Sequence, residues 1–180
     1  MPVNFGLLGV DMLTLSAHKA GGPQGIGALV VRDGLALKPL IYGGGQELRR
    51  RAGTENIASV AGFAALVSEK IIDIKYLRDR LELSLEAVTV FGEGASRLPN
   101  TTCFALAGAS AEALLINLDL EGIAVSSGSA CSSGKVASSH VLQAMGVSPD
   151  LARGALRISL GWNTTEEDID RFIAAWRSII

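Results

Sequence analysis

Leu13-Thr14-Leu15-Ser16-Ala17-His18-Lys19-Ala20-Gly21-Gly22-Pro23 is the stretch on which the fold turns. An apolar run from Val10 to Leu15 reads as a buried strand, and it runs straight into a lysine and a glycine-rich turn, residues 20–25. Ligands of α/β proteins gather where strands end in such turns, so Lys19 is a candidate for chemistry. A lysine amine can condense with an aldehyde cofactor and afterwards move a proton, and Ser16 can donate a hydrogen bond to a phosphate. The bland alternative is an exposed lysine at a strand end, the usual fate of that residue. A Walker loop and the GxGxxG order are both absent from this turn, which removes the nucleotide-hydrolysis and dehydrogenase readings.

Working outward, residues 27–31 give a second strand, and Gly43-Gly44-Gly45 opens a polar loop to Asn56. The loop carries Arg49, Arg50, Arg51 and Thr54 ahead of a helix, with Thr54 or Asn56 as its cap. It reads either as a phosphate clasp or as a solvated basic turn. Helical spacing then links Ile57, Val60, Ala61, Ala64 and Val67, and again Leu77, Leu81, Leu85 and Val88. Beyond these the order is α+β. Strands are expected at 101–106, 123–125 and 156–160. Helices are expected from Ser110 to Leu120, from Ser138 or Ser139 to Gly146, and after Ser148-Pro149. A capping box of Thr164 or Thr165 with Glu167 or Asp168 starts a last helix, whose apolar face is Ile169, Phe172, Ile173 and Trp176.

The two cysteines differ in setting. Cys103 lies in an apolar strand and suits a small buried hydrophobe. Cys131 lies in a Ser/Gly loop, residues 126–135, with Lys135 close by, where a thiol is accessible and its thiolate form favoured. It is either a nucleophile or an incidental exposed thiol. With no CxxC pair, neither a disulfide framework nor a structural zinc site is expected. Arg157, on the strand 156–160, is suited to bind a carboxylate through its planar fork.

Composition narrows the class. At 180 residues with 48% hydrophobic and 19% charged, the chain can bury a real core. A formal charge of −2 gives no ground for a nucleic-acid or membrane partner. No apolar stretch is long enough to span a bilayer and no secretory signal is visible, so the cytoplasm is the expected location. The strand at the N-terminus arrives with no βα unit before it, and the chain reads as starting mid-domain.

Taken together, SAHKAGGPQGIGAL, GGGQELRRRAGTEN, SSGSACSSGK and ALRISLGWNTTEEDID resemble, in order, the signature segments of cysteine desulfurases among the class V, aminotransferase-like enzymes of pyridoxal 5'-phosphate (PLP). The resemblance implies an α/β chain of PLP-dependent transferase fold type I. Residues 1–70 would be the C-terminal part of the large, PLP-binding domain, whose N-terminal part is absent, and residues 71–180 the small α/β domain with the cysteine loop. It implies that Lys19 is the Schiff-base lysine, with Ser16 and His18 beside the phosphate and Thr54 reaching the phosphate of the other subunit. Cys131 would take sulfur from L-cysteine as a persulfide, and Arg157 would bind the substrate carboxylate. The products would be L-alanine and a persulfide for an iron–sulfur scaffold or another sulfur acceptor, made by a homodimer. No metal site is implied, although Cys131 would meet an iron–sulfur cluster during transfer. The alternatives are a non-catalytic truncated or split-gene half that needs a partner chain, and a lyase acting on selenocysteine. The family's ring-stacking histidine and pyridine-pairing aspartate have no counterpart here, since the only histidines are His18 and His140 and Asp11 is too close to Lys19. The polypeptide alone is therefore expected to bind PLP weakly and to have little desulfurase activity.

Overall fold

A computed structural model describes residues 3–68, 73–128 and 139–180. The chain divides into two compact units, Met1–Lys70 and Ile71–Ile180.

The first unit is built on a hairpin. Strand β1, Met12–Ser16, pairs antiparallel with β2, Gly27–Val31, in the register Met12 to Val31 and Ser16 to Gly27. A short helix α1, Phe5–Leu8, precedes it, capped by the Asn4 side chain, which accepts from the Leu7 amide at 3.2 Å. Sequence periodicity gave no sign of this single turn. The expectation of a buried strand is corrected here. Met12, Leu15 and Leu29 are all exposed, because among the described residues the two-strand ribbon has no further strand beside it. Helix α2, Ile57–Ser68, follows the glycine-rich loop. Its cap is Asn56, whose Oδ1 accepts from the Ser59 amide at 3.2 Å.

The second unit holds a four-stranded antiparallel sheet in the order β3-β4-β6-β5. Its strands are β3, Val88–Val90; β4, Thr101–Leu106; β5, Ser126–Ser127; and β6, Ala155–Ser159. Helices α3, Lys75–Leu83, α4, Ala111–Leu120, and α7, Glu166–Ile179, cover one face. There Phe104, Leu156 and Ile158 meet Leu77, Leu81, Leu118, Phe172 and Trp176. Trp176 is fully buried and packs edge-on to Phe104, with ring centroids 5.3 Å apart. Each such side chain contributes about 1.5–3 kcal/mol of burial. On the opposite face, α5, His140–Ala144, and α6, Pro149–Arg153, close a smaller cluster of Phe91, Ala105, Leu142, Ala152 and Ala155.

Two expectations fail in this unit. The helical spacing through Leu85 and Val88 does not extend α3, which stops at Leu83. Ser84 caps it, Ala87 turns with φ 56°, and the β-branched Val88 starts a strand. The strand expected at 123–125 is displaced to Ser126–Ser127, while Ile123 and Val125 pack on the core without joining the sheet.

Candidate functional site

Ser16, the last residue of β1, leads into a 3-10 turn, Ala17–Ala20, that carries His18 and Lys19. Ala17 is fully buried and held at both ends: its amide donates to Ile26 O at 3.2 Å and its carbonyl accepts from Gly22 at 2.9 Å. With that residue pinned, the next two side chains are exposed. The turn is seated on α2 by close approach. A Cβ on Gly62 would lie 2.6 Å from Pro23 Cγ, so only glycine admits the proline ring against the helix.

The Ser16 hydroxyl does not cap the turn. It pairs instead with His18 Nδ1 at 2.9 Å, so a hydroxyl and an imidazole stand together one residue from the Lys19 amine. Lys19 has no ion-pair partner among the described residues, which leaves its amine free to react. A hydroxyl, an imidazole and a free amine within four residues form a donor set for an anionic group beside a carbonyl carbon.

Residues 43–56 fold back on themselves. The Ala52 amide donates to Ile41 O at 3.2 Å and closes the base. At the tip, three consecutive non-glycine residues adopt left-handed backbone: Glu47 at φ 47°, Leu48 at 55° and Arg49 at 64°. Such conformations cost about 1–2 kcal/mol per residue and persist where the surroundings impose them. Gly53, at φ 100°, then delivers the chain to Thr54. Because Asn56 caps α2, Thr54 is left exposed, with no hydrogen bond among the described residues. No hydrogen bond or ion pair links Thr54 to the Lys19 turn among those residues.

Arg157 belongs to the second unit. It lies on β6 with Cys103 of β4 opposite it on one side and Ser126 of β5 on the other. Strand alternation puts it on the face of Ala155, away from the main core. It is half-buried and has no carboxylate partner among the described residues, the condition of a guanidinium able to receive one from a ligand. Burial pushes the Cys103 thiol up, and the Arg157 charge only partly offsets this, so Cys103 stays protonated and inert. Cys103, expected as a small buried hydrophobe, is half-buried and packs on the cluster of Phe91, Ala105 and Leu142. Cys131 lies outside the described residues. The chain enters that segment from Gly128, whose amide donates to Ala155 O at 2.8 Å. Of the loop expected at 126–135, Ser126 and Ser127 are in the sheet, and residues 129–135 lie outside the described residues.

No group of three or more His, Cys, Asp or Glu able to hold a metal ion occurs among the described residues, and no helix there is long and apolar enough to cross a membrane.

Comparison with known proteins places these features in context. The family described as Aminotransferase class-V matches residues 1–172. The chain is 42% identical to the cysteine desulfurase IscS of Dictyoglomus turgidum, over all of this chain and 48% of that protein. It thus spans about half the length of the curated relatives it matches. Among solved structures, a NifS-like protein from Rickettsia africae superposes with TM-score 0.82 at 40% identity, over 99% of this chain and 50% of that one. A structure described as SspA in complex with cysteine matches with TM-score 0.66 at 33% identity, over 88% of this chain and 46% of its own.

Proposed function

This chain belongs to the class V aminotransferase family, and from that premise we propose that it supplies the lysine-bearing and cysteine-bearing half of a cysteine desulfurase. Its fold is the mixed α/β fold of the NifS-like, PLP-dependent fold type I enzymes, in part. The observation that carries the proposal is the Ser16–His18 pair beside the unpaired amine of Lys19.

That donor set fits PLP: Lys19 would hold its aldehyde and Ser16 and His18 its phosphate, while Thr54 would reach the phosphate of the PLP in the other subunit. When bound, PLP accepts the electron pair freed at the substrate α-carbon. Lys19 Nζ takes and returns the α-proton. Arg157 holds the α-carboxylate of L-cysteine by paired N–H donors. The Cys131 thiolate attacks the substrate sulfur: an S–S bond forms, the C–S bond breaks, and the carbon skeleton is protonated and leaves as L-alanine. The persulfide on Cys131 then passes to an iron–sulfur scaffold or another acceptor. Cytoplasmic homodimers are the proposed working form. The relatives named cysteine desulfurase and the structure described with cysteine support this substrate.

Borohydride reduction of the full chain mixed with PLP, followed by peptide mass spectrometry, is expected to fix the cofactor on Lys19 and on no other lysine. Lys19→Ala should abolish the adduct. Labelling at Lys38 or Lys135 in equal yield would refute the assignment. Equilibrium binding should be weak, because no histidine or aspartate of this chain matches those that grip the ring. Tight PLP binding with rapid alanine release by the chain alone would overturn that expectation.

A further inference from the structure

Of the three consecutive arginines, one differs in what it holds. Arg51 NH1 donates to Ala52 O at 3.1 Å and to Gly53 O at 2.8 Å, and its NH2 lies 3.4 Å from Glu47 Oε1. Arg49 and Arg50 make no such side-chain bonds among the described residues. We propose that Arg51 is a positioning residue: it orients the Gly53 and Thr54 peptides so that their amides and the Thr54 hydroxyl together face a phosphate. The proposal rests on the reading of Thr54 as a phosphate contact and adds the part that aims it.

The reason lies in peptide geometry. In a trans peptide the N–H points opposite to the C=O of the same plane. Drawing the Ala52 carbonyl onto the guanidinium turns the Gly53 amide away from it, and drawing the Gly53 carbonyl turns the Thr54 amide away likewise. Neither amide has an acceptor among the described residues, and the Thr54 hydroxyl is also unbonded. Successive free amides next to a left-handed residue form a concavity suited to an anion, and Gly53 has φ 100°. The same guanidinium reaches back to Glu47, the first residue of the left-handed tip, and so ties tip to turn. An arginine committed to two carbonyls acts on the anion through the backbone it holds.

The test is a titration of the isotopically labelled full chain with inorganic phosphate, followed at the Gly53 and Thr54 amide resonances. The wild-type resonances should shift and saturate. Arg51→Gln and Arg51→Lys should both weaken phosphate binding by about five- to tenfold, the scale of losing one or two hydrogen bonds to an anion. Lysine keeps the charge but lacks the fork, so retention of affinity in Arg51→Lys would show a mere charge effect and overturn the proposal. Thr54→Ala should weaken binding too, and the double variant Arg51→Gln/Thr54→Ala should be no weaker than Arg51→Gln alone. Losses that multiply would show independent contacts and overturn it. A wild-type chain whose two amides ignore phosphate would instead overturn the Thr54 reading itself.

Discussion

At Arg49 the backbone sits at φ 64° with a full side chain. Glycine takes that conformation without the Cβ clash, so Arg49→Gly should raise stability by about 1 kcal/mol, measured by urea denaturation of the full chain. A loss of stability would mean that the arginine side chain holds something in place there. In the second unit, Glu82 receives Arg97 through two bonds, at 2.6 and 2.9 Å, while Arg78, almost fully buried, reaches Leu98 O at 2.9 Å. Burial alone would push the Glu82 carboxyl up. The Arg97 hydrogen bonds and the charges of Arg97 and Arg78 outweigh it, so the carboxyl titrates below its ordinary value of 4.5. Asp79 is also held low, by hydrogen bonds from Lys75 and Arg78. A carboxyl with a lowered folded pKa contributes stability that is present above its unfolded value and lost as pH falls through the folded one. Stability should therefore decline below pH 4.5, and Glu82→Gln should be less stable at neutral pH with a flatter acid limb. Denaturation midpoints measured across that range check both. The Arg97–Glu82 and Arg78–Leu98 links do not show in the sequence, because their partners lie 15 and 20 residues apart.

Element by element, what the sequence disclosed followed local chemistry. Helix α7 begins with the expected box: Thr165 Oγ1 accepts from the Asp168 amide at 3.2 Å and Asp168 Oδ2 from the Thr165 amide at 2.9 Å. Thr165→Ala should cost about 1 kcal/mol of stability, read from the shift in a denaturation curve; no shift would mean that the helix end is held by packing alone. Ser148 with Pro149, the helix after Ser110 and the strand Thr101–Leu106 were equally legible, since each carries its own start or stop. The strand after Leu83 was hidden because Leu85 and Val88 continue the helical spacing by coincidence, and only the turn at Ala87 breaks it. The short ladder at Ser126–Ser127 was hidden for the opposite reason. Its pairing is set by Arg157 and Leu156, some thirty residues on, while the apolar run before it looked more strand-like. Of the candidate residues, Lys19, just past a strand end, and Arg157, on a strand, were readable as residue types. The Ser16–His18 pair and the Arg51 clamp were not, because both depend on where a side chain bends back.

For the whole molecule, the division at residue 70 has an energetic counterpart. The second unit has a full helix-covered sheet with Phe104, Leu156 and Trp176 at its centre, whereas the first has a ribbon with exposed apolar faces. A polypeptide of residues 71–180 should thus fold cooperatively by itself, giving a dispersed amide spectrum and a single unfolding transition. A collapsed spectrum without a transition would show that this core depends on the first unit.

The place of β6 between β4 and β5 bears on how a ligand would be met. Backbone hydrogens in a strand flanked on both sides exchange last, and Arg157 is at its middle. Under the proposed role of Arg157, a carboxylate arriving there would find a stiff mount, not a segment that must first settle. Little freedom of the main chain would be surrendered at such an encounter.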